Sequence, residues 1–357
     1  MGSNFKFASR PDVGIERWNY CSDKFPDAWL WHRWEAIDAY ATWPGTTDAS
    51  FALLDPVSSD PVALVPLHRI LGPRPIRNWA ARFESTGGPA YAETLSARQR
   101  GHAERDVRST LLSLAAQSQV HRIELAMAPL APARQTRNGI NPLAMLGCAD
   151  ASTQSWILDL SGRDEEALWQ NMEHRVRKSV NKAERNGVRV RIVVAGDFPD
   201  FLRLHKQAAK RNGLPVKPNA YFETIFCDFI ANDRAIGFCA QGPDGQTIAI
   251  HVFGIYKQGA LYWVVASNPE ALRCGANDLV QWHAIRTFAK RGITYYECGE
   301  AFPGTPDGKL RRISDFKKGF GGDLAPYYRG NLNSRPRVAA VLSLLRAIRG
   351  RGMRGDT

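Results

Sequence analysis

Both halves of the chain repeat one order of predicted elements: strands first, then a helix, then another strand. In the first half, a helix predicted at Ala103–Gln119 follows strands at Phe51–Leu54 and Val62–Ile70 and precedes a strand at His121–Ala126. In the second half, a helix at Asp278–Lys290 has the same place between strands. At 357 residues the chain exceeds the size that one hydrophobic core usually supports. We therefore expect two similar α/β (α+β) domains with mixed central sheets flanked by helices.

The second half has the clearer pattern. Its other predicted elements are strands at Ser155–Leu160, Val188–Val194, Ala235–Ala240, Thr247–Tyr256, Leu261–Ala266 and Ile293–Cys298, and helices at Asp164–Asn186, Phe198–Asn212 and Tyr221–Ile230. Ser161 is predicted to cap the longest of these helices. The resulting division is a first domain over residues 1–150, a second over residues 151–330, and a tail over residues 331–357.

The composition narrows the class of protein. A hydrophobic fraction of 44% and a charged fraction of 23% are ordinary for a globular protein. No window approaches the roughly 18 consecutive apolar residues of a membrane span, and the N-terminal segment lacks the apolar core of a secretory signal. We therefore expect a cytoplasmic protein. The six cysteines are scattered without metal-ligand spacing, so we expect no metal site.

The net charge of +12 predicts an anionic partner: a phosphorylated small molecule, a nucleic acid or an acidic membrane face. Part of this charge lies in the tail, where apolar residues share one helical face and arginines surround them. The apolar residues are Val338, Val341, Leu342, Leu345 and Ile348. Such a helix could lie on the inner face of a membrane or dock on its own domain, and both interpretations stay open.

A second basic segment lies in HRVRKSVNKAERNGVRV. Arg175, Lys178, Lys182 and Arg185 are three or four residues apart and so share one helical face, with Arg177 beside it. Such a face could hold a polyphosphate or an RNA backbone, or could be an ordinary solvated surface. Arg175, Arg177 and Lys182 are therefore candidate substrate-binding residues.

A glycine-containing turn precedes the helix at Asp278–Lys290. Free N–H groups at a helix N-terminus form a ready anion site. The candidate cofactor-binding residues of this turn are Arg273, Gly275, Ala276 and Asn277, with Asn277 as the predicted N-cap.

Candidate catalytic residues lie in the second half. Glu297 is placed in the middle of a predicted strand, where a carboxylate must be paired or functional. His251 also lies in a strand, between apolar neighbours, and is either a core histidine or a general base. The loop over Gly292–Tyr328 adds Glu300 as a candidate substrate-binding residue. No nucleophile elbow, Walker loop or Rossmann fingerprint is present.

Three blocks resemble the FemAB-like and CelD-type branch of the GNAT acyltransferase superfamily. The first is LWQNMEHRVRKSVNKAERNGVRV, similar to a family pattern through Trp169, Arg177, Val180, Lys182, Ala183 and Gly187. The second is ANDLVQWHAIRTFAKRGITYYECG, and the third is ISDFKKGFGG, which resembles a Phe-Lys-x-x-Phe-Gly motif through Phe316, Lys317, Phe320 and Gly321. Together the blocks span about half of the chain.

The resemblance implies two tandem GNAT-like domains and transfer of an acyl group to an amine or hydroxyl. It implies that Lys317 stabilises the tetrahedral transition state, with Phe316 beside it, and that acyl-CoA, with acetyl-CoA as the leading candidate, is the donor. A cell-envelope or polysaccharide precursor, including a lipid-linked sugar, is the acceptor it suggests.

Two rival interpretations stay open. In the same family, aminoacyl-tRNA serves as donor, and the basic helix favours that. From another class, the chain would be a non-catalytic module that binds an anionic glycolipid or a nucleic acid.

Overall fold

The computed structural model describes residues 5–134, 139–306 and 308–342. The chain divides into two compact units: unit 1 comprises Met1–Ser152 and Tyr328–Thr357, and unit 2 comprises Thr153–Tyr327. The return to unit 1 at Tyr328 differs from the division expected from sequence, in which the second domain ran to residue 330 and a separate tail followed.

The strands, in chain order, are β1 (Lys6–Ser9), β2 (Thr46–Asp48), β3 (Phe51–Leu54), β4 (Pro61–Val65), β5 (His68–Ile70), β6 (Arg82–Ser85), β7 (Ala90–Tyr91), β8 (Arg122–Ala126), β9 (Ala149–Asp150), β10 (Thr153–Asp159), β11 (Arg189–Ile192), β12 (Ala235–Gln241), β13 (Thr247–Tyr256), β14 (Gly259–Ser267), β15 (Tyr295–Ala301), β16 (Asp323–Tyr327) and β17 (Arg329–Asn333). The α-helices are α1 (Arg10–Val13), α2 (Ile15–Lys24), α3 (Trp34–Ala41), α4 (Ala97–Gln117), α5 (Glu165–Asn171), α6 (His174–Arg185), α7 (Phe198–Asn212), α8 (Asn219–Thr224), α9 (Pro269–Cys274), α10 (Ala276–Lys290) and α11 (Lys309–Lys318). A π-helical turn, Ile225–Phe229, continues α8. Short 3-10 turns lie at Leu30–His32, Pro132–Arg134, Pro142–Leu146 and Ala195–Asp197.

Unit 1 contains two sheets, in the strand orders β1-β3-β4-β7 and β2-β5-β6-β8-β17-β9. Strands β6 and β8 are parallel and paired over all four residues of β6. Helix α4 lies between β7 and β8 in the chain. It buries Ala103, Val107, Leu111 and Ala115 in the unit 1 core. Its N-terminus is closed by its own side chains, because Ser96 and Gln99 form a reciprocal capping box.

Unit 2 contains one sheet in the order β11-β12-β13-β14-β15-β10-β16. Every neighbouring pair in it is antiparallel except β14 and β15, which are parallel. Helices α5, α6 and α10 share one apolar core with this sheet, whose fully buried members include Phe253, Phe288 and Tyr296. Helix α7 packs on β13 and β14.

The predicted helix Asp164–Asn186 is wrong as a single element. The structure has two helices, α5 and α6, and the chain is extended at Met172 and Glu173 between them. Asp164, not Ser161, caps the first, since its Oδ1 accepts the backbone N–H of Ala167 at 2.7 Å. The hydroxyl of Ser161 is directed to Asp159 instead.

The described part of the predicted tail is helical over residues 336–342, with Ala339 and Leu342 buried and Val341 about half exposed. The remaining residues of its predicted face, Leu345 and Ile348, lie outside the described residues. Among the residues that the structure describes, no helix is both long and apolar enough to cross a membrane.

Candidate active site

The two parallel strands of unit 2 separate part-way along their length. Strands β14 and β15 are paired only at Gly259–Tyr295, Ala260–Tyr296 and Leu261–Glu297. Beyond these three pairs β14 continues to Ser267 and β15 to Ala301, so six and four residues respectively run on without pairing to each other. Within the described sheet, this leaves the facing backbone edges of both strands open in a wedge.

A β-bulge follows the last paired residue of each strand. In β14 the register with β13 shifts at Trp263, because Val252 pairs with Val264 whereas Phe253 pairs with Tyr262. In β15 the register with β10 shifts at Cys298. Bulges bend a strand and increase its twist, which accounts for the separation of the two strands at this point.

Lys317 of α11 lies on the β15 side of the wedge. Its Nζ donates a hydrogen bond to the carbonyl oxygen of Glu300 at 2.7 Å. A Cβ at Gly299 would lie only 3.0 Å from that Nζ, so the absence of a side chain at Gly299 makes room for the ammonium group. Burial lowers the pKa of Lys317, while the nearby Cys298, Glu297 and Glu300 act in the opposite direction. The result is a half-buried cation fixed beside an open strand edge.

Glu297 is the last β15 residue paired with β14 and is therefore at the apex of the wedge. Only 4% of its surface is exposed. The hydroxyl of Ser155, on the neighbouring strand β10, donates to its Oε1 at 2.7 Å. A buried carboxylate is stabilised by such a donor.

His251 is fully buried on β13. Its Nε2 lies 3.0 Å from the Oδ1 of Asn277, which can only accept, so this nitrogen carries the proton. Burial lowers the pKa of His251 to about 4, against the opposing effect of that hydrogen bond, so the ring is neutral at pH 7. His251 thus fixes the turn that contains Asn277.

The predicted anion-binding turn joins α9 to α10 through Gly275, whose φ of 81° is in the left-handed region. A Cβ at Gly275 would lie 2.6 Å from the Oγ and 2.7 Å from the carbonyl oxygen of Ser179 on α6. The Ser179 hydroxyl donates to Asp278 at 2.6 Å, and Lys182 donates to the carbonyl oxygen of Arg273 at 3.1 Å. Helix α6 therefore holds both sides of the turn.

Gly275, not Asn277, is the N-cap of α10, so that prediction was wrong. The side-chain oxygen of Asn277 is engaged by His251 within the first turn of the helix. Helix α10 has no side-chain cap, and of its first residues Ala276 is fully buried whereas Asn277 and Asp278 are partly exposed. An uncapped helix N-terminus favours an anion such as a diphosphate.

The other predicted substrate-binding cations contact protein carbonyls. Arg175 reaches the carbonyl oxygen of Asp315 and the carboxylate of Glu173. Arg177 donates to the carbonyl oxygens of Gln170 and Met172 at 2.8 and 3.0 Å, which are at the end of α5. Both arginines therefore connect elements around α6.

A groove of about 470 Å³ lies along the outer face of α6. Its lining residues are Trp169, His174, Arg177, Lys178, Asn181, Glu184 and Arg185. Of the predicted basic residues, Arg177, Lys178 and Arg185 line the groove, whereas Arg175 and Lys182 are not among its lining residues. Phe316, at the other end of the site, packs edge-on against Phe320 at 5.1 Å between ring centroids.

With this geometry in hand, the chain can be compared with known proteins. A family model described as an acetyltransferase (GNAT) domain matches residues 170–309. These residues include the wedge, the Gly275 turn and all of α6. Unit 2 carries a GNAT acyltransferase domain. The prediction of an acyltransferase is confirmed, and a comparison with curated proteins gives no match.

Solved structures agree with this assignment in fold. FemX has a TM-score of 0.67 at 12% identity, covering 90% of this chain and 96% of its own. A tandem GNAT protein from the clavulanic acid biosynthesis pathway has a TM-score of 0.55 at 12% identity, covering 92% and 98%. The C-terminal domain of a putative lysylphosphatidylglycerol synthetase from Agrobacterium fabrum has a TM-score of 0.57 at 13% identity, covering 92% and 94%. The predicted FemAB-like, tandem GNAT fold is confirmed.

Sequence reasoning missed several residues of the GNAT domain. Ser155, which donates to Glu297, is 142 residues away in sequence. Ser179 was counted within a basic helix and not as the partner of Asp278. The bulge at Trp263 has no local signature, whereas Gly299 next to Cys298, with its φ of 95°, is a local hint of the second bulge.

Proposed function

We propose that this protein transfers an acyl group from acyl-CoA to an amine or hydroxyl by direct attack, without a covalent acyl-enzyme. The observation that carries this proposal is the wedge between β14 and β15, with Lys317 on one side of it. An acyl thioester in the wedge would have its carbonyl between an open strand edge and a fixed cation.

The donor end of the proposal rests on the turn before α10. The N–H groups of the first turn of α10 would hold the diphosphate, and the exposed Arg273 is close enough in sequence to contribute charge. Gly275 lets this turn pack closely on α6, because any side chain there would collide with Ser179. The pantetheine arm would then lie along the unpaired edge of β14.

In the transfer step, the acceptor nitrogen or oxygen forms a bond to the acyl carbon and the carbon–sulfur bond breaks. Lys317 and a backbone N–H of β14 would stabilise the negative charge that develops on the carbonyl oxygen. Glu297, directly or through a water molecule, would take the proton that the acceptor loses, and the departing thiolate would take up a proton. Because His251 lies on β13 and is engaged by Asn277, whereas Glu297 lies at the apex of the wedge, Glu297 is the better candidate for the base.

The acceptor we propose is a cell-envelope sugar or a lipid-linked precursor, with Glu300 at the mouth of the wedge and the acetyl group as the first donor to test. A second candidate donor is aminoacyl-tRNA. The groove along α6 favours it, because a tryptophan beside cations suits the stacking and phosphate contacts of an RNA end. FemX and a lysylphosphatidylglycerol synthetase domain are among the proteins of similar fold.

The test is which donor raises the melting temperature. Acetyl-CoA, palmitoyl-CoA and a charged tRNA are compared at equal excess, with pantetheine as the control that lacks the diphosphate. A ligand at 100 times its Kd adds about 2.7 kcal/mol to the free energy of unfolding. We expect acetyl-CoA to raise the melting temperature and pantetheine not to. A shift with charged tRNA alone would favour the second candidate, and no shift with any donor would contradict the proposal.

A further inference from the structure

The indole of Trp263, at the bulge of β14, is held from outside the wedge. Its Nε1 donates a hydrogen bond to the hydroxyl oxygen of Tyr221 at 2.9 Å. Its ring meets the ring of Phe229 at 5.0 Å between centroids and an angle of 78°. Both partners come from the segment formed by α8 and the π-helical turn after it.

The π-helical turn explains how both partners reach one side chain. Ile230 donates to the carbonyl oxygen of Ile225 at 3.1 Å, which is a hydrogen bond across five residues. In an unbroken α-helix, Tyr221 and Phe229 would lie about 80° apart around the axis, at 3.6 residues per turn. The wider turn rotates less per residue and so brings the two rings to the same side. Turns of this kind recur at functional sites.

Tyr221 is suited to a fixed position. It is only 7% exposed, and burial raises its pKa to about 12, so the phenol stays neutral over the working pH range. The ammonium group of Lys217 lies 5.7 Å from its ring centroid. A second tie holds the end of the same strand, because Arg211 of α7 donates to the carbonyl oxygen of Ser267 at 3.0 Å.

We infer that Tyr221 is a positioning residue: through Trp263 it holds the bulge of β14 away from β15 and thereby keeps the wedge open. Trp263 is the residue where β14 takes its extra position relative to β13, two residues beyond the last pair with β15. A strand without this tie could shift its register by one residue and close on β15. The effect on catalysis rests on the proposed function, whereas the effect on β14 does not.

The experiment compares amide hydrogen exchange in the protein without ligand for the wild type, Tyr221→Phe and a control. Phenylalanine fits the same space but removes the oxygen that accepts the part-buried indole N–H, a loss of about 0.5–1.5 kcal/mol for a typical hydrogen bond. We expect exchange over residues 262–267 to accelerate about threefold to tenfold, with β12 and β15 unchanged. The control is Tyr40→Phe in unit 1, which removes a tyrosine hydrogen bond of 2.7 Å to Glu84. It should leave exchange in β14 unchanged.

A double variant tests the route through the indole. If Tyr221 acts by way of Trp263, the loss in Tyr221→Phe/Trp263→Phe equals the loss in Trp263→Phe alone, because the N–H has already gone. Losses that add would overturn the inference. Unchanged exchange in β14 of Tyr221→Phe, or acceleration spread evenly over unit 2, would overturn it as well.

The catalytic readout is the turnover of acetyl-CoA with glucosamine as acceptor. If Tyr221 positions β14, Tyr221→Phe should lower kcat about tenfold with little change in KM for acetyl-CoA. If its role is purely structural, the variant should lower the melting temperature and leave kcat of the folded protein unchanged. If the wild type shows no turnover, the proposed donor or acceptor is wrong. The exchange experiment still decides whether Tyr221 positions β14.

Discussion

Units 1 and 2 share an order of strands and helix but differ in strand pairing and in helix capping. In unit 1 the parallel strands β6 and β8 are paired over all of β6, and α4 begins on the Ser96–Gln99 capping box. In unit 2 the parallel strands β14 and β15 separate after three pairs, and α10 begins on Gly275 without a side-chain cap. The element order is alike, but α4 begins with a side-chain cap and α10 does not.

This difference shows which details distinguish a binding site from a structural copy of it. The capping box at the start of α4 satisfies the N–H groups of Ser96 and Gln99, and pairing with β8 covers one edge of β6. In unit 2 a glycine and two bulges leave the corresponding groups open. The fold alone therefore does not distinguish the two units, whereas the N-cap and the strand register do.

The strongest test of the comparison is removal of the cation beside the open wedge. In Lys317→Ala we expect kcat for acetyl-CoA turnover to fall about 10²–10³-fold, by analogy with the loss of one oxyanion donor. Steady-state kinetics provides the measurement. Lys318→Ala, at the exposed neighbouring lysine, is the matched control and should retain activity. An active Lys317→Ala enzyme would exclude this residue from the mechanism.

Acid should destabilise the turn before α10 more than the capped N-terminus of α4. The pKa of His251 is about 4 in the folded protein and about 6.5 when exposed, so between these values only the unfolded chain takes up the proton. Its contribution to stability is full above about pH 6.5 and is lost as the pH falls through 4. The loss is on the order of 3 kcal/mol in the free energy of unfolding.

Denaturant titrations from pH 7 to pH 4 measure this loss. His251→Gln retains a donor for Asn277 without a titrating ring, so its free energy of unfolding should fall less over the same range. An equal fall in the variant would assign the pH dependence to other groups.

A side chain at Gly275, in the turn before α10, should lower both the stability of the protein and its affinity for the donor. In Gly275→Ala the new Cβ would collide with Ser179 and the residue would keep an unfavourable positive φ, so we expect a loss of roughly 1–3 kcal/mol in the free energy of unfolding. Weaker acetyl-CoA binding should accompany it. Gly245→Ala is the matched control, since Gly245 has a φ of 80° but nothing within 4 Å of its Cβ position. Equal losses in both variants would show that Ser179 yields and that the close approach is unimportant.

The smallest effect is expected at the capped N-terminus of α4. Ser96→Ala removes the N-cap of α4 and should cost about 1 kcal/mol in the free energy of unfolding. The shift in melting temperature produced by acetyl-CoA should not change. A changed shift would mean that unit 1 takes part in donor binding, and the contrast between the N-termini of α4 and α10 would no longer hold.

The sequence is a good guide where local patterns decide the outcome. The predicted helix Phe198–Asn212 and the predicted strand Thr247–Tyr256 have the observed bounds, because periodicity and the flanking glycines define them. The Gly275 turn was predicted from its own residues, whereas Lys317 was singled out through the resemblance of its motif to a family. The extended break at Met172, between α5 and α6, lies within a continuous polar pattern, so the local sequence does not reveal it.

The parts that were missed depend on pairing between distant segments. The wedge arises from register shifts between β13 and β14 and between β10 and β15, and no residue type encodes such a shift by itself. The contacts of Ser155 with Glu297 and of Tyr221 with Trp263 join residues 142 and 42 positions apart. Such pairs become apparent only once the sheet is assembled.

The return of the chain to unit 1 has a consequence for synthesis on the ribosome. Strand β17 lies between β8 and β9 in the second sheet of unit 1, so this sheet lacks an interior strand until residues 329–333 have emerged. Unit 2 is complete earlier, and its first and last residues, Thr153 and Tyr327, are paired neighbours on β10 and β16. The catalytic unit is thus an insertion with adjoining ends, and the part of the chain that is made first is the last to have all its strands.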